Sequence, residues 1–296
     1  MIDTHSKKYQ QDIKKETNLW NQAAETELKK FPPDYKYYRE TLPYKIYRHK
    51  YVVQMLSHIH PNDRVLELGC YNGWFSLEMA RLGATIDAHD ISTRAIKIAK
   101  KYFLKCQKGE KVAGKISYYV SDLNYPKFPR KNYDIVVIRN VLHHLMNLEA
   151  LFKELKKSLK PGGKILVDDA LPCGKLEALI TGCLLFLLPT DIPYSQKLKR
   201  VFKKGQILKR TQGLINASGA SPFEGVSGKE SVVYLNKIFK QKTFTSFSAF
   251  TGSVTAHLNL GNDHKKIVLK TLNFLDSTLI KLGFIQGTNY YLEAQK

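Results

Sequence analysis

Residues 65–76 read Val-Leu-Glu-Leu-Gly-Cys-Tyr-Asn-Gly-Trp-Phe-Ser. An apolar run into Glu67, then Gly69 and Gly73, then an apolar helical pattern give the order strand, turn, helix. That order presents backbone N–H groups and a helix N-terminus to a ligand. Loops of this kind carry a middle glycine, but here the middle position holds Tyr71. A tyrosine takes positive φ only with difficulty, so the turn is expected to run with Tyr71 at negative φ. Its ring then walls the pocket; the alternative is an exposed ring beside an intact loop.

Strand-like runs follow at 64–68, 85–90, 115–120, 133–138 and 164–169. Helical patterns lie between them at 73–82, 93–105 and 147–160. Pro161-Gly162-Gly163 is read as ending the last helix and turning the chain into the next strand. Such alternation predicts a parallel sheet with helices on both faces, and its near-continuous apolar strands suit burial on both sides. Residues 171–227 are too long for an ordinary connection and read as an inserted helical cap. Ser227-Gly-Lys-Glu230 has capping-box spacing and predicts a helix to about Phe239. Residues 243–250 and 288–294 alternate as two further strands, around a helical pattern at 264–282 closed by Gly283. Residues 1–56 form a basic, tyrosine-rich leader broken at Pro32-Pro33 and Pro43. The expected organisation is a helical cap at 1–56, a core at 57–170, a second cap at 171–227 and the rest of the core at 228–296.

Four features then arrive in order. Glu67-Leu-Gly69-Cys-Tyr71-Asn-Gly73 follows strand one, and Asp90-Ile91 ends strand two, where a carboxylate can accept both hydroxyls of a ribose. Asp122-Leu123 closes strand three, and Arg139-Asn-Val-Leu-His-His144 follows strand four. The series resembles the class I S-adenosylmethionine (SAM)-dependent methyltransferases, especially those acting on small molecules and lipids. The resemblance covers about residues 60–170 and the last strand. It implies an α/β fold with a seven-stranded doubly wound Rossmann-like core, and SAM as cofactor. Glu67, Gly69, Tyr71, Gly73, Asp90, Ile91, Asp122, Leu123, Arg139 and Asn140 would line its site. The family pattern places glycines at the second, fourth and sixth positions beyond the acid, so Tyr71 is a departure. SAM has no pyrophosphate, which relaxes the need for backbone approach at that position.

His143 and His144 stand where the family places the methyl acceptor, and a histidine there can take a proton from a hydroxyl as the methyl moves. The structural alternative is a buried, hydrogen-bonded histidine. Several branches are disfavoured. Amino-group methyltransferases acting on adenine or glutamine carry an Asn/Asp-Pro-Pro-aromatic motif after strand four, which is missing, and Phe31-Pro-Pro-Asp-Tyr35 lacks its polar first residue. A catechol-type magnesium site needs an aspartate where Arg139-Asn140 stands, so no metal is expected. Pro172-Cys173 resembles the nucleophilic cysteine of cytosine-C5 RNA methyltransferases without its partner motif.

Charge bears on the acceptor. The chain carries 47 Lys+Arg against 26 Asp+Glu, a net +21 over 296 residues. A field of that sign favours phosphate-bearing partners or an anionic membrane surface, against the plainer reading of a solvated lysine-rich face. Residues 176–188 are unusually apolar, and 192–223 contain seven basic residues and no acid (Lys197, Lys199, Arg200, Lys203, Lys204, Lys209, Arg210). The stretch 176–210 is therefore read as a peripheral contact with anionic lipid or a hydrophobic acceptor tunnel, against a lid packed on the core. Residues 36–51 interleave six basic side chains, counting His49, with five tyrosines. That composition suits single-stranded RNA, but also a cap over SAM in which Arg48 or a tyrosine meets the cofactor's carboxylate. Four cysteines without paired spacing, no apolar signal region and no 20-residue apolar span point to a cytoplasmic protein, peripherally membrane-associated at most. The expected function is methylation of a small-molecule or lipid-like acceptor, oxygen favoured. RNA (tRNA) methylation is the runner-up, and a catalytically inactive SAM-fold binding or membrane-docking protein is the third reading.

Overall fold

The computed structural model describes residues 6–202 and 221–296; of 199–202 only the backbone is described. The leader folds as α1 (Lys7–Leu28), the single turn α2 (Tyr35–Tyr38), a π-helical turn (Tyr44–Arg48) and α3 (His49–Leu56). The core runs β1 (Arg64–Leu68), α4 (Trp74–Arg81), β2 (Thr85–Asp90), α5 (Thr93–Gly109), β3 (Lys115–Val120) and β4 (Tyr133–Arg139). A 3₁₀ turn (Leu142–His144), α6 (Leu148–Ser158) and β5 (Leu159–Ala170) complete the parallel part. Then come α7 (Lys175–Leu187), α8 (Tyr194–Phe202), α9 (Gly228–Ile238), β6 (Lys240–Phe247), α10 (Thr251–His257), α11 (Asn262–Lys281) and β7 (Asn289–Gln295).

The seven strands form one sheet in the order β3-β2-β1-β4-β5-β7-β6. β1 pairs parallel with β2 and β4, and β7 lies antiparallel between β5 and β6. Strand order reverses beside β1, so the C-terminal ends of β1 and β4 diverge into a crevice, the usual ligand site of such sheets. Val65, Leu66, Leu68, Val136, Val137 and Ile138 are fully buried, because helices cover both faces.

Two local expectations need correction. α6 stops at Ser158, and Pro161-Gly162-Gly163 lies inside β5 as a bulge: Tyr133 pairs with Leu159, but Ile135 pairs with Lys164. Gly162, at φ 75°, permits the kink. The capping box at Ser227 does not form, because its hydroxyl donates instead to the Leu142 carbonyl at 2.7 Å. The bond ties α9 to the turn after β4.

The leader's aromatic side chains pack inward. Tyr35 and Tyr38 stack on Trp74 at 5.1 and 5.3 Å between ring centroids, Tyr44 meets it edge-on, and Tyr51 stacks on Phe247 at 4.0 Å. Of the tyrosines of 36–51 Tyr37 is the most exposed, at 38%. A stacking platform for RNA needs a row of exposed rings, and this leader lacks one. Of the basic insert, Lys203, Lys204, Lys209 and Arg210 lie outside the described residues, as do the side chains of Lys199 and Arg200. Lys197 is buried, its Nζ donating to the carbonyls of Phe186 and Leu188 at 3.4 and 2.6 Å. It stabilises the C-terminal end of α7 and is no part of a basic surface. Among the described residues no helix is long and apolar enough to cross a membrane.

Candidate functional site

A cavity of about 290 Å³ opens at the crevice. Glu67, Gly69, Tyr71, Asp90, Ile91, Asp122, Leu123, Arg139, Asn140 and His144 line it, so ten of the expected site residues meet in one space. Gly73 and His143 do not line it.

The turn after β1 carries positive φ at Gly69 (76°), Tyr71 (48°) and Gly73 (79°). Tyr71 is thus left-handed, contrary to the expected negative φ. The turn keeps its three-glycine path because the Tyr71 N–H must point at Asp90, donating to its carboxylate at 2.8 Å. The side chain is held from both sides, by Ala24 on α1 and by Ala95 and Ile98 on α5. The Trp20 ring meets it edge-on at 5.9 Å. Contacts of this kind are what sustains a strained backbone at a site. Tyr71→Gly should therefore relieve strain but lose more in packing and in unfolded-state entropy, a net cost of roughly 1–2 kcal/mol. Thermal unfolding without cofactor checks the sign: a rise in melting temperature would mean that the ring contributes less than the strain.

Gly73 is equally constrained by space. A Cβ there would fall 2.6 Å from the Tyr118 hydroxyl and 2.7 Å from Ala99 Cβ, so Gly73 lets α4 approach β3 and α5. At the far end of the turn, Ser76 donates a short hydrogen bond to Glu67. Burial pushes the Glu67 carboxyl up to about 7, against the Ser76 bond and the Arg139 charge. Burial likewise pushes Asp90 up to about 6, against the N–H groups of Ser92 and Tyr71. Two buried carboxylates with too little positive charge nearby are stabilised by a cationic ligand. Glu16 and Asp122 also line the cavity, with Arg139 as its one arginine or lysine among the described residues. SAM, with its sulfonium and ammonium, fits this lining.

Arg139 lies over Trp74 and Phe75, 4.6 Å from each ring, and its Nη2 is 3.5 Å from Asp168. Its Nε is buried without a hydrogen-bond partner among the described residues. Arg48, which with a leader tyrosine was one of two candidates for the cofactor's carboxylate, is directed to Asp168 at 3.5 Å and Asn289 at 3.0 Å, outside the cavity lining. The π-helical turn aims it at the end of β5 and the start of β7, and it is Tyr44 from the same turn that lines the cavity.

Asp169 organises the acceptor side. Fully buried, it accepts from the N–H groups of Val141 at 3.0 Å, Leu142 at 2.6 Å and Ala170 at 2.6 Å, and from His143 Nδ1. Burial alone would lower the His143 pKa, but the Asp169 carboxylate outweighs it and holds the imidazole above its usual range. His143 is therefore a pinned strut whose protonated form Asp169 favours. His144 differs: burial, and then repulsion from His143, keep its pKa below the ordinary value. Its Nδ1 lies 3.3 Å from Glu16 and its Nε2 3.7 Å from Glu224. His143 Nε2 lies 3.9 Å from Glu224, and ligand atoms of His143, His144 and Glu224 fall within 4.8 Å of one another.

Sequence reasoning missed what the leader contributes. Ile13, Glu16 and Trp20 line the cavity, and Tyr9 donates to Asp122 at 2.5 Å. Trp20 Nε1 and the Ser221 hydroxyl both donate to Glu16, at 2.6 Å each, and Trp20 meets His144 edge-on at 5.6 Å. Asn21 fixes the helix in place, accepting from Ser92 Oγ at 2.8 Å and the Arg94 N–H at 2.9 Å. The signal was present: residues 9, 13, 16 and 20 recur at helical spacing along one face of α1. Asn124 was also missed; it accepts from the N–H groups of Met146 and Asn147 and holds the loop after β3 against α6.

Residues 38–202, more than half of the chain, match a family model described as a methyltransferase domain. Phosphoethanolamine N-methyltransferase 3 of Arabidopsis thaliana is 30% identical over 123 residues, 40% of this chain and 23% of that protein. The mitochondrial ubiquinone biosynthesis O-methyltransferase of Schizosaccharomyces pombe is 26% identical over 156 residues, 52% of this chain and 56% of that one. The chain thus spans about a quarter to just over half the length of these curated relatives. Geranyl diphosphate C-methyltransferase from Streptomyces coelicolor A3(2), solved with Mg2+, geranyl diphosphate and S-adenosyl-L-homocysteine, shares the fold at TM-score 0.51. It is 11% identical, over 84% of this chain and 78% of that one.

Proposed function

Because this chain belongs to the class I SAM-dependent methyltransferases, we propose that it methylates an oxygen of a small-molecule or lipid-like acceptor without a metal ion. When bound, SAM supplies a methyl group activated on a sulfonium. The chain's own work is then binding, in-line orientation, exclusion of water and removal of one proton. Asp90 would hold the ribose, Asp122 and Leu123 the adenine edge, and Glu67 and Arg139 the charged amino-acid end. Asn140, at φ 48°, and Tyr71 would form the walls beside the reacting groups.

The observation that carries the acceptor reading is His144. It lines the same cavity as Glu67 and Asp90, and its depressed pKa leaves the imidazole neutral near pH 7. With Nδ1 3.3 Å from the Glu16 carboxylate and 3.4 Å from Ser221 Oγ, which itself donates to Glu16, the ring proton is best placed on Nδ1, leaving the lone pair on Nε2, the atom that would accept a hydroxyl proton. Arg139-Asn140 in place of an aspartate after β4 supports the metal-independent form. A second reading, an amine acceptor, draws on Glu16 and Glu224 beside His144, which would attract a cation.

The test is formation of S-adenosyl-L-homocysteine with panels of hydroxyl and amine acceptors in chelator-treated enzyme. A depressed pKa means that the base form is present above that pKa and lost as pH falls through it. For a hydroxyl acceptor, kcat/KM should therefore rise with pH to a plateau whose midpoint lies below the ordinary histidine value of about 6.5. His144→Gln should lose this limb and roughly 10²–10⁴-fold in rate. Full activity in His144→Gln would remove His144 from the reaction, and loss of wild-type activity on chelation would refute metal independence.

A further inference from the structure

α11 has two unlike faces. Inward, Leu269 and Leu272 join the cluster formed with Phe250, Val254 and Leu258. Buried Asp276 accepts from the N–H groups of Ala249, Phe250 and Thr251 at 2.9, 3.2 and 2.9 Å, fixing the start of α10. Outward, Ile267 is 63% exposed, Phe274 69% and Leu282 64%, with Leu275 nearly half exposed. At 3.6 residues per turn these positions form one stripe, with Thr271 and Thr278 between them. Exposed Lys266, Lys270 and Lys281 run along one edge of it. The helix carries two acids, Asp263 in its first turn and the buried Asp276.

The helix end extends the stripe. Gly283 adopts φ 77°, and the Phe284 N–H donates back to the Leu279 carbonyl at 3.1 Å. After such a stop the next apolar residue ordinarily folds back onto the helix. Phe284 is 67% exposed instead. Near Lys281, Lys50 on α3 is held below the usual lysine range by burial and by repulsion from Lys281, so two cations lie close together at this end of α11.

We propose that the outer face of α11 with Phe284 docks the protein peripherally on an anionic lipid bilayer. The apolar stripe enters the boundary between headgroups and acyl chains, and Lys266, Lys270, Lys281 and Lys50 meet the lipid charge. An apolar row of this exposure on a monomer marks an interaction surface. Its lysine edge disfavours a second copy of the chain, since an isologous contact would oppose like charges. Nucleic acid fits less well, because Ile267, Leu275 and Leu282 have no ring on which a base can stack. The surface lies outside residues 176–210, where the sequence placed a membrane contact, and it does not depend on the methyl acceptor's identity.

Flotation of the full chain with vesicles of phosphatidylcholine, with and without phosphatidylglycerol, tests the proposal. Binding is expected to the phosphatidylglycerol vesicles and not to phosphatidylcholine alone, weakening as salt rises. F274S/F284S and, separately, K270E/K281E should each reduce binding at least about tenfold, with the melting temperature nearly unchanged because the residues are exposed. Absence of flotation with anionic vesicles overturns the proposal, as does equal flotation of wild type and F274S/F284S. Sedimentation that shows a dimer dissociated by F274S/F284S, with vesicle binding unaltered, would overturn it in favour of an interface between copies.

Discussion

Asp169→Ala is expected to destabilise the fold by roughly 3–5 kcal/mol, the cost of removing one partner from a buried, charged network. Three backbone N–H groups and His143 would lose their acceptor in a fully buried place. The turn carrying Asn140 and His144 would lose its anchor at the same time, so turnover should fall even at temperatures where the variant is folded. Asp169→Asn keeps the shape but not the charge, and should fall between the two. Denaturant titration measures the loss; a change of less than about 1 kcal/mol for Asp169→Ala would show that the turn is held by other contacts.

Gly69→Val should be comparably severe. Gly69 sits at φ 76°, where a β-branched residue is excluded, and its Cβ would fall 2.8 Å from Val141 Cβ and 3.2 Å from the Arg139 carbonyl. Backbone strain and overpacking together cost roughly 2–6 kcal/mol. The clash lies between the turn after β1 and the turn after β4, the two walls of the cavity. SAM binding should therefore be lost with the fold's stability; a stable variant with intact binding would contradict the tight apposition of those turns.

The parallel strands were legible because each is an apolar run bounded by turn residues, and burial on both faces makes such runs continuous. Glu67, Asp90 and Asp122 were legible because strand ends in a doubly wound sheet must converge on one crevice. Tyr71 misled because intrinsic preference was applied to a turn that long-range contacts dictate: the Asp90 carboxylate and the clasp of α1 and α5 fix its φ. The capping box at Ser227 failed for a similar reason: its hydroxyl donates to the distant Leu142 carbonyl and accepts no N–H from its own helix. The leader's tyrosines were left open between an RNA surface and a cap over the cofactor, because basic and aromatic residues at mixed spacing do not reveal which face turns inward. Glu16 and Trp20 were missed although their periodicity was visible, since nothing in one helix names the surface it will cover.

The central claim is that SAM is held in this cavity by the carboxylates at the strand ends. Calorimetric titration of SAM into wild type and Asp90→Ala tests it most directly. Wild type should bind at one site per chain, and Asp90→Ala should bind more weakly by roughly 1.5–3 kcal/mol, about 10–150-fold. An unchanged affinity in Asp90→Ala would contradict the assignment of this cavity as the cofactor site.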